Sequence, residues 1–289
     1  MENQTILDAY LSRIGLTGKP APDAAGLEAL QRAHRLSIGF ENLDVMLGRP
    51  IHIDLVTIAD KLIARHRGGY CFEHNALFGA MLTELGFTNR PLLGRVWLGS
   101  AWPGEATTIP PQTHTLRLAS IAGEPWIADA GFGGSYVPPL PLLDGAQAAT
   151  PDGALHRLRR VGADGAATGE WLLERAGPAS ATDGRAQTHD TFQPQYSFTL
   201  AEVAPIDLEL SNHWTFTRAG TRFTSACLVS IVLPDGFASL NGRRLSVHRA
   251  GQGEASEIAS AAAWREVLGD LFRIDLGAEE AEKLFEQVS

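Results

Sequence analysis

The chain has 289 residues, 44% of them hydrophobic and 20% charged, a composition that excludes disorder or fibre for its bulk and leaves room for roughly two ordinary domains. Its 24 basic against 33 acidic side chains give a net charge of −9, which excludes a general binder of nucleic acid or anionic membrane, since both need clustered positive charge. Two cysteines, Cys71 and Cys227, exclude a disulfide scaffold and suit a reducing compartment; with no basic-then-apolar leader in MENQTILDAY and no apolar run near the ~18 residues of a membrane helix, the expectation is a cytoplasmic protein.

The first 90 residues read as helical. Residues 5–14 set Ile6, Leu7, Tyr10, Leu11 and Ile14 at helical spacing before Gly15 stops the run, and residues 26–36 repeat the pattern with Leu27, Leu30, Ala33 and Leu36. Residues 55–66 carry Ile58, Leu62 and Ile63; residues 71–85 set Phe78, Leu82 and Leu85 on one side, with Gly86 at a C-cap position. From Phe87 the texture changes to short β-rich runs at 90–99, 114–122 and 126–129, with a proline-bounded loop at 103–111. Residues 155–161 and 171–175 predict further strands, and the small, polar stretch 176–191 predicts a mobile loop or linker. In the last third, 198–202 and 206–211 read as strand or short helix, 226–233 and 244–248 as strands, and 261–271 and 279–288 as helices.

One segment concentrates chemistry: Arg67-Gly68-Gly69-Tyr70-Cys71-Phe72-Glu73-His74-Asn75. Its two glycines let one helix end and the chain turn tightly before the next begins near Cys71. A thiol at a helix N-terminus meets unpaired N–H groups and about half a positive charge, both of which favour thiolate. The plainer alternative is a small buried hydrophobe, which is how Cys227 in ACLVSIVL reads. His114 opens one predicted strand and Asp129 ends the next; each alone reads as structural. With Cys71 they supply a nucleophile, a base for its proton and a carboxylate to fix the base's tautomer.

A turn at Gly123-Glu124 pairs Ala122 with Pro125 and puts His114 and Asp129 on one face. On that register Asp129 stands opposite Leu118, roughly 13 Å from His114 at ~3.3 Å per residue. Direct apposition needs a register centred on Ile121 and Ala122, or a bulge. The following Gly131-Phe132-Gly133-Gly134 fits neither Walker nor dinucleotide spacing; on its own it reads as a plain flexible turn, the alternative being a backbone surface that a phosphate or pantetheine chain can approach closely. His66, Cys71 and His74 lack a CxxC companion, so no metal site is expected.

In order along the chain, Phe40-Glu41-Asn42-Leu43-Asp44, Gly48-Arg49-Pro50-Ile51, RGGYCFEHN, Leu85-Gly86-Phe87, Thr113-His114 and Asp129-Ala130-Gly131-Phe132-Gly133 resemble the arylamine N-acetyltransferase family, most densely over 36–137. The resemblance implies an α+β fold of three domains: an N-terminal helical bundle (1–88) bearing the nucleophile, a central β-barrel (89–195) bearing the histidine and aspartate, and a C-terminal α/β lid with an interdomain segment (196–289). The first two resemble a cysteine-protease core. It also implies a ping-pong reaction through an acetyl-thioester on Cys71, with His114 as base and Asp129 as its orienting carboxylate. No tightly bound cofactor is expected; acetyl-CoA is the cosubstrate, with Gly131, Phe132, Gly133, Trp97 and Thr113 placed near coenzyme A. Phe40, Val96 and Phe132 match the apolar wall that receives an arylamine or hydrazine.

Glu41, Arg67 and Asn75 are expected to form a structural polar network beneath the site. The run SNHWTFTRAGTRF departs from the family pattern at His213, and Arg218, Arg222 and Arg243 are the candidate donors to coenzyme A's phosphates. Neither nucleic acid nor membrane is an expected partner, and self-association is compatible with the sequence. Two other readings share the trio: a papain- or transglutaminase-like hydrolase, and an amide synthase acting on a longer acyl thioester. The FENLD and GFGG context favours the acetyltransferase.

Overall fold

The computed structural model describes residues 3–98, 108–185 and 189–288. Helices α1 (Asn3–Arg13) and α2 (Ala24–Ser37), the short strand β1 (Phe40–Glu41), and helices α3 (Leu43–Met46), α4 (Leu55–Ala59) and α5 (Cys71–Glu84) come first. Eight strands follow: β2 (Thr88–Val96), β3 (Gln112–Ile121), β4 (Glu124–Ala128), β5 (Leu140–Pro141), β6 (Gln147–Ala149), β7 (Leu155–Arg160), β8 (Trp171–Gly177) and β9 (His189–Phe198). The chain ends with α6 (Pro205–Thr217), α7 (Arg222–Ser225), β10 (Leu228–Leu233), β11 (Gly236–Asn241), β12 (Arg244–Arg249), β13 (Gln252–Glu257), α8 (Ala261–Asp270) and α9 (Ala278–Gln287). Among the described residues no helix is long and apolar enough to cross a membrane.

The apolar stripes read from the sequence bury against one another. Ile6, Leu7 and Tyr10 of α1, Leu27 and Leu30 of α2, and Leu77, Phe78, Met81 and Leu82 of α5 form one core. Asp23 caps α2 by accepting from Gly26 N at 2.8 Å, and Asp54 caps α4 by accepting from Thr57 N at 3.0 Å. The helix predicted over 55–66 starts as α4 but continues as a π-helical turn, Asp60–Ala64. Lys61 lies in that turn and is 5% exposed; its ammonium meets Asp44 at 2.7 Å and Glu73 at 2.8 Å. Such turns locally rearrange the helix face and recur near functional sites.

The middle strands form one antiparallel sheet in the order β5-β4-β3-β2-β9-β8-β7-β6, nearly closed into a barrel around Leu92, Leu116, Ile127, Leu158, Leu173 and Tyr196. A second sheet, β1-β10-β11-β12-β13, packs on α8 and α9 through Val229, Ile231, Trp264, Leu268 and Phe272. Its edge strand β1 comes from the N-terminal part of the chain, pairing Phe40 with Ser230 and Glu41 with Val229. Helices segregated from antiparallel sheets make this an α+β fold.

Several expectations are corrected. The β3–β4 turn is Ala122-Gly123, not Gly123-Glu124: Ile121 pairs Glu124, and both turn residues have positive φ, 52° and 88°, as a two-residue turn matched to strand twist requires. Of the two readings left open for 206–211, strand or short helix, the helix holds: the segment belongs to the longer α6, which begins with Pro205 in its first turn, whereas of 198–202 only Phe198 is in a strand. Residues 176–185 are not a linker. They hold the end of β8 and a 3-10 turn, Ala179–Ala181, and Ala181 and Thr182 are buried. Ser180 bonds His248 at 2.8 Å, and Asp183 N donates to Gly134 O at 2.9 Å. Residues 186–188 of that predicted loop, 99 at the end of a predicted strand, and 103–107 of the predicted proline-bounded loop lie outside the described residues.

Three fully buried histidines set an acid limit. Tyr10 OH donates to His34 Nδ1 (2.8 Å), His34 Nε2 to His74 Nδ1 (2.7 Å), and His74 Nε2 to Gly39 O (3.2 Å). The terminal carbonyl only accepts, which puts a proton on His74 Nε2, and every contact in the chain is satisfied with both rings neutral. Burial lowers His34 well below the usual histidine range, and lowers His74 and His156 to about 3. Between about pH 6.5 and 3 the unfolded chain therefore binds protons that the folded chain refuses. Stability falls as pH falls, by about 1.4 kcal/mol per pH unit for each such histidine. Urea midpoints measured at pH 7 and pH 5 should show a marked drop at pH 5; equal midpoints would contradict the neutral, buried assignment.

Candidate active site

Cys71 is the first residue of α5. The turn that delivers it is set by close approach rather than by left-handed glycines. The left-handed residue is His66, at φ 49°. Gly68 and Gly69 run beside the FENLD segment: Glu41 N donates to Gly69 O at 2.7 Å, and a Cβ on Gly68 would lie 2.2 Å from Gly39 O. Glu73 Oε2 accepts from Tyr70 N at 3.0 Å and anchors the start of α5.

His114 and Asp129 meet directly, with Nε2 2.7 Å from Oδ2. The observed register sets Asp129 two positions nearer His114 along β3 than the expected turn would, and Asp129 has already left the ladder, so its carboxylate spans the remaining offset. Asn75, one turn along α5 from Cys71, donates to Asp129 Oδ1 at 3.1 Å and to Thr115 O at 2.7 Å, and accepts from Ala130 N at 3.1 Å. Gly131 N donates to Asp129 Oδ1 at 2.9 Å. Burial works against the ionised Asp129, but His114, Asn75 and the Gly131 amide outweigh it and hold the carboxyl below its usual range. A carboxylate only accepts, so His114 carries its proton on Nε2 and leaves Nδ1 free to act as a base.

The ladder between β2 and β3 skips Thr113: Gly94 pairs His114 and Arg95 pairs Gln112. This bulge turns the Thr113 carbonyl toward the nucleophile, where it accepts from Cys71 Sγ at 3.6 Å. Burial pushes the Cys71 thiol well up and the charge of Asp129 adds to the push; backbone N–H groups of Thr115, Phe72 and Cys71 oppose it without prevailing. Burial thus works against the thiolate that the helix terminus favours, because Cys71, 3% exposed, has lost the water that would solvate its charge.

Cys71 and His114 line a cavity of about 290 Å³ together with Phe40, Val96, Thr113, Gly131, Phe132 and Gly133. A Cβ on Gly131 would lie 2.8 Å from Cys71 Cα, so only glycine lets this loop pass so close. Tyr196 and Phe132 pack on the His114 ring at 4.9 and 5.3 Å. Trp97 does not line the cavity: it is 1% exposed, and its indole N–H donates to Ser197 Oγ at 2.8 Å inside the barrel wall. Of the three candidate phosphate-binding arginines only Arg222 lines the cavity; Arg243 donates to Phe285 O at 3.0 Å and stacks on that ring. His74, with both ring nitrogens engaged in the histidine chain, is not oriented as a metal ligand.

The polar residues beneath form a larger network than expected. Arg67 meets Glu41 at 2.9 Å and Asp44 at 3.4 Å, and Lys61 joins Asp44 to Glu73. Burial raises the Asp44 carboxyl, but Lys61 and Arg67 outweigh that and hold it at about 2. Asn42 pins the other flank, donating to Phe223 O and Ala226 O and accepting from Leu228 N. Asn75 belongs instead to the Asp129 cluster. Sequence reading missed Gln31, whose Oε1 accepts from Asp129 N at 2.8 Å and whose Nε2 donates to Val137 O at 2.6 Å; a glutamine on an apolar helix stripe was its only signal. It also missed Asp183, Arg185 and Phe223 in the cavity wall.

A family model described as N-acetyltransferase matches residues 23–281. An arylamine N-acetyltransferase of Mycolicibacterium smegmatis is 36% identical over 275 residues, covering 94% of this chain and 92% of the relative. One of Escherichia coli is 37% identical over 232 residues, covering 80% and 74%. Among solved structures, Mycobacterium marinum arylamine N-acetyltransferase in complex with CoA superposes with a TM-score of 0.85 at 32% identity, covering 98% of this chain and 99% of that one.

Proposed function

The chain belongs to the arylamine N-acetyltransferase family, and from that premise we propose that Cys71, His114 and Asp129 carry acetyl from acetyl-CoA to an arylamine or hydrazine in two half-reactions. The protein is an acetyltransferase with acetyl-CoA as its cosubstrate. The observation that carries the mechanism is the placement, on the wall of one apolar cavity, of a helix-N-terminal thiol and a histidine held from behind by the buried Asp129.

In the first half-reaction the Cys71 proton passes to His114 Nδ1. Burial disfavours a lone thiolate, so the sulfur ionises only as an adjacent imidazolium forms, stabilised through Nε2 by Asp129. The sulfur attacks the acetyl carbonyl, the bond to coenzyme A's sulfur breaks, and that sulfur leaves with the proton from His114. One thioester replaces another, so the exchange is nearly neutral. In the second, the amine nitrogen attacks the acetyl-Cys71 carbonyl, His114 takes the amine's proton, and the Cys71 sulfur leaves and recovers it. The amides of Cys71 and Phe72 at the open start of α5 are the donors for the tetrahedral oxyanion.

Gly131, Phe132, Gly133 and Thr113 border the pantetheine path, while Phe40, Val96 and Phe132 hold the acceptor's ring. The division proposed at 88 is supported by the change from helices to barrel strands there, whereas a boundary at 195 would cut β9, which stays in the barrel sheet to Phe198, and β1 crosses into the second sheet. Both cysteines are free, which supports residence in a reducing cytoplasm. Initial rates with acetyl-CoA and an arylamine both varied should give parallel double-reciprocal lines; intersecting lines would contradict the two-stage mechanism.

A further inference from the structure

A second cavity lies outside the catalytic one, and neither half-reaction uses it. It measures about 640 Å³, within the usual range of small-molecule sites, and runs between the segment 50–54 and helix α6. Among the described residues the two cavities share no lining side chain. Helix α6 separates them: Trp214 and Thr215 line the catalytic side, while Ile206, Leu210, His213 and Phe216 line the other. Asn212, 4% exposed, ties the groove's two walls together. Its Nδ2 donates to Ile51 O at 2.8 Å, and its Oδ1 accepts from the hydroxyl of Tyr70.

Three kinds of side chain meet in this groove. Ile206 and Leu210, one turn apart on α6, are each 67% exposed, more than any other large hydrophobic residue among those described. Neighbouring bare apolar side chains at a depression are the mark of a surface that something covers. His213 and Phe216 set their rings edge to face at 5.3 Å and add an aromatic surface. Asp54, Asp207 and Glu209 supply carboxylates, and no Lys or Arg is among the described residues lining the groove. Arg49, next to Pro50, is engaged by Asp44 and Glu280 instead. Asp54 is occupied as the cap of α4, but Asp207 and Glu209 are exposed and enter no ion pair among the described residues.

That combination selects the ligand. Uncompensated carboxylates repel phosphates, other carboxylates and an anionic lipid surface. A cation with an apolar body answers both features, since its charge meets the carboxylates and the aromatic rings while its hydrocarbon covers Ile206 and Leu210. A quaternary ammonium fits best, because it brings no N–H that the groove would have to satisfy. We propose that the groove between residues 50–54 and α6 binds a lipophilic cation of the quaternary-ammonium class, at a site separate from both substrates of the transfer reaction. The ammonium lies among Asp207, Glu209 and the His213–Phe216 rings.

The test is titration calorimetry on the whole protein at pH 8, above the usual histidine range, with benzyltrimethylammonium, benzyl alcohol and benzenesulfonate. The ammonium carries no N–H and cannot be acetylated, so turnover does not enter the reading. It should bind at one site about tenfold more tightly than the uncharged alcohol, and the sulfonate should not bind. Asp207→Asn combined with Glu209→Gln should bring the cation close to the alcohol. Leu210→Arg puts a positive charge into the groove and should abolish binding. These variants replace exposed side chains, so the fold and the acetylation rate should persist. A cation that binds no better than the alcohol, or equally well in the double variant and in Leu210→Arg, would overturn the site. Saturating coenzyme A should leave the cation's affinity unchanged. Displacement by coenzyme A would put the cation in the catalytic cavity and overturn the proposal equally.

Discussion

Asp129→Asn should lower kcat/KM for acetyl transfer by about 10³–10⁴-fold while leaving the fold nearly intact. The substituted side chain keeps an oxygen for the Asn75 amide and the Gly131 N–H, now at 3.1 and 2.9 Å from Oδ1. Its amide nitrogen then faces His114 Nε2, where a carboxylate oxygen sits at 2.7 Å. Two donors cannot share that contact, so the imidazole must move its proton to Nδ1, the nitrogen that has to receive the thiol proton. The imidazolium also loses its counter-charge, and burial already pushes the Cys71 thiol up. Steady-state rates, the rate of Cys71 alkylation and a thermal midpoint test this together. A loss under tenfold in a folded protein would contradict the tautomer assignment.

Lys61→Met should cost about 3–5 kcal/mol, the scale of stranding buried charges, or roughly 10 °C in Tm. Glu41, Asp44 and Glu73 are 1%, 8% and 2% exposed. Without Lys61, Arg67 would still face Glu41 and Asp44, and the more exposed Arg49 would still reach Asp44, but Glu73 would lose its ion pair. Burial already pushes Glu73 above its usual range even with Lys61 beside it, so in the variant Glu73 must fold protonated. A folded state that binds more protons than the unfolded one loses stability as pH rises. The deficit relative to the wild type should therefore grow from pH 5 to pH 7, opposite in sign to the histidine effect. Because Glu73 holds the Tyr70 amide at the start of α5, the folded fraction should also lose activity. A deficit independent of pH would show that Glu73 is not the stranded group.

The helices were legible because each buries one face, and α1, α2, α8 and α9 lie close to their predicted spans. The hairpin parity was legible for the same reason: alternation fixes which side a residue takes. The register was not, because it depends on Ala122 accepting a left-handed conformation that alanine seldom adopts. Strand β13 escaped notice because GlnGlyGluAlaSerGlu is exposed throughout and has no apolar alternation to read. In the site, Cys71, His114 and Asp129 could be picked out by the chemistry their types complete. Gln31 and Asp183 could not, since each matters only through where tertiary packing sends it. Trp97 misled because an aromatic near a site motif reads as a ligand contact until a buried partner such as Ser197 is seen. The π turn that houses Lys61 leaves no sequence mark beyond a lysine in an apolar helix.

The central claim is a covalent acetyl group on Cys71, and it is read most directly by intact mass. The protein is incubated with acetyl-CoA and no amine, beside a Cys71→Ala control. The account predicts a gain of one acetyl group on the wild type alone, discharged when an arylamine is added. No gain on a protein whose Cys71 is still readily alkylated, or an equal gain on the control, would contradict it.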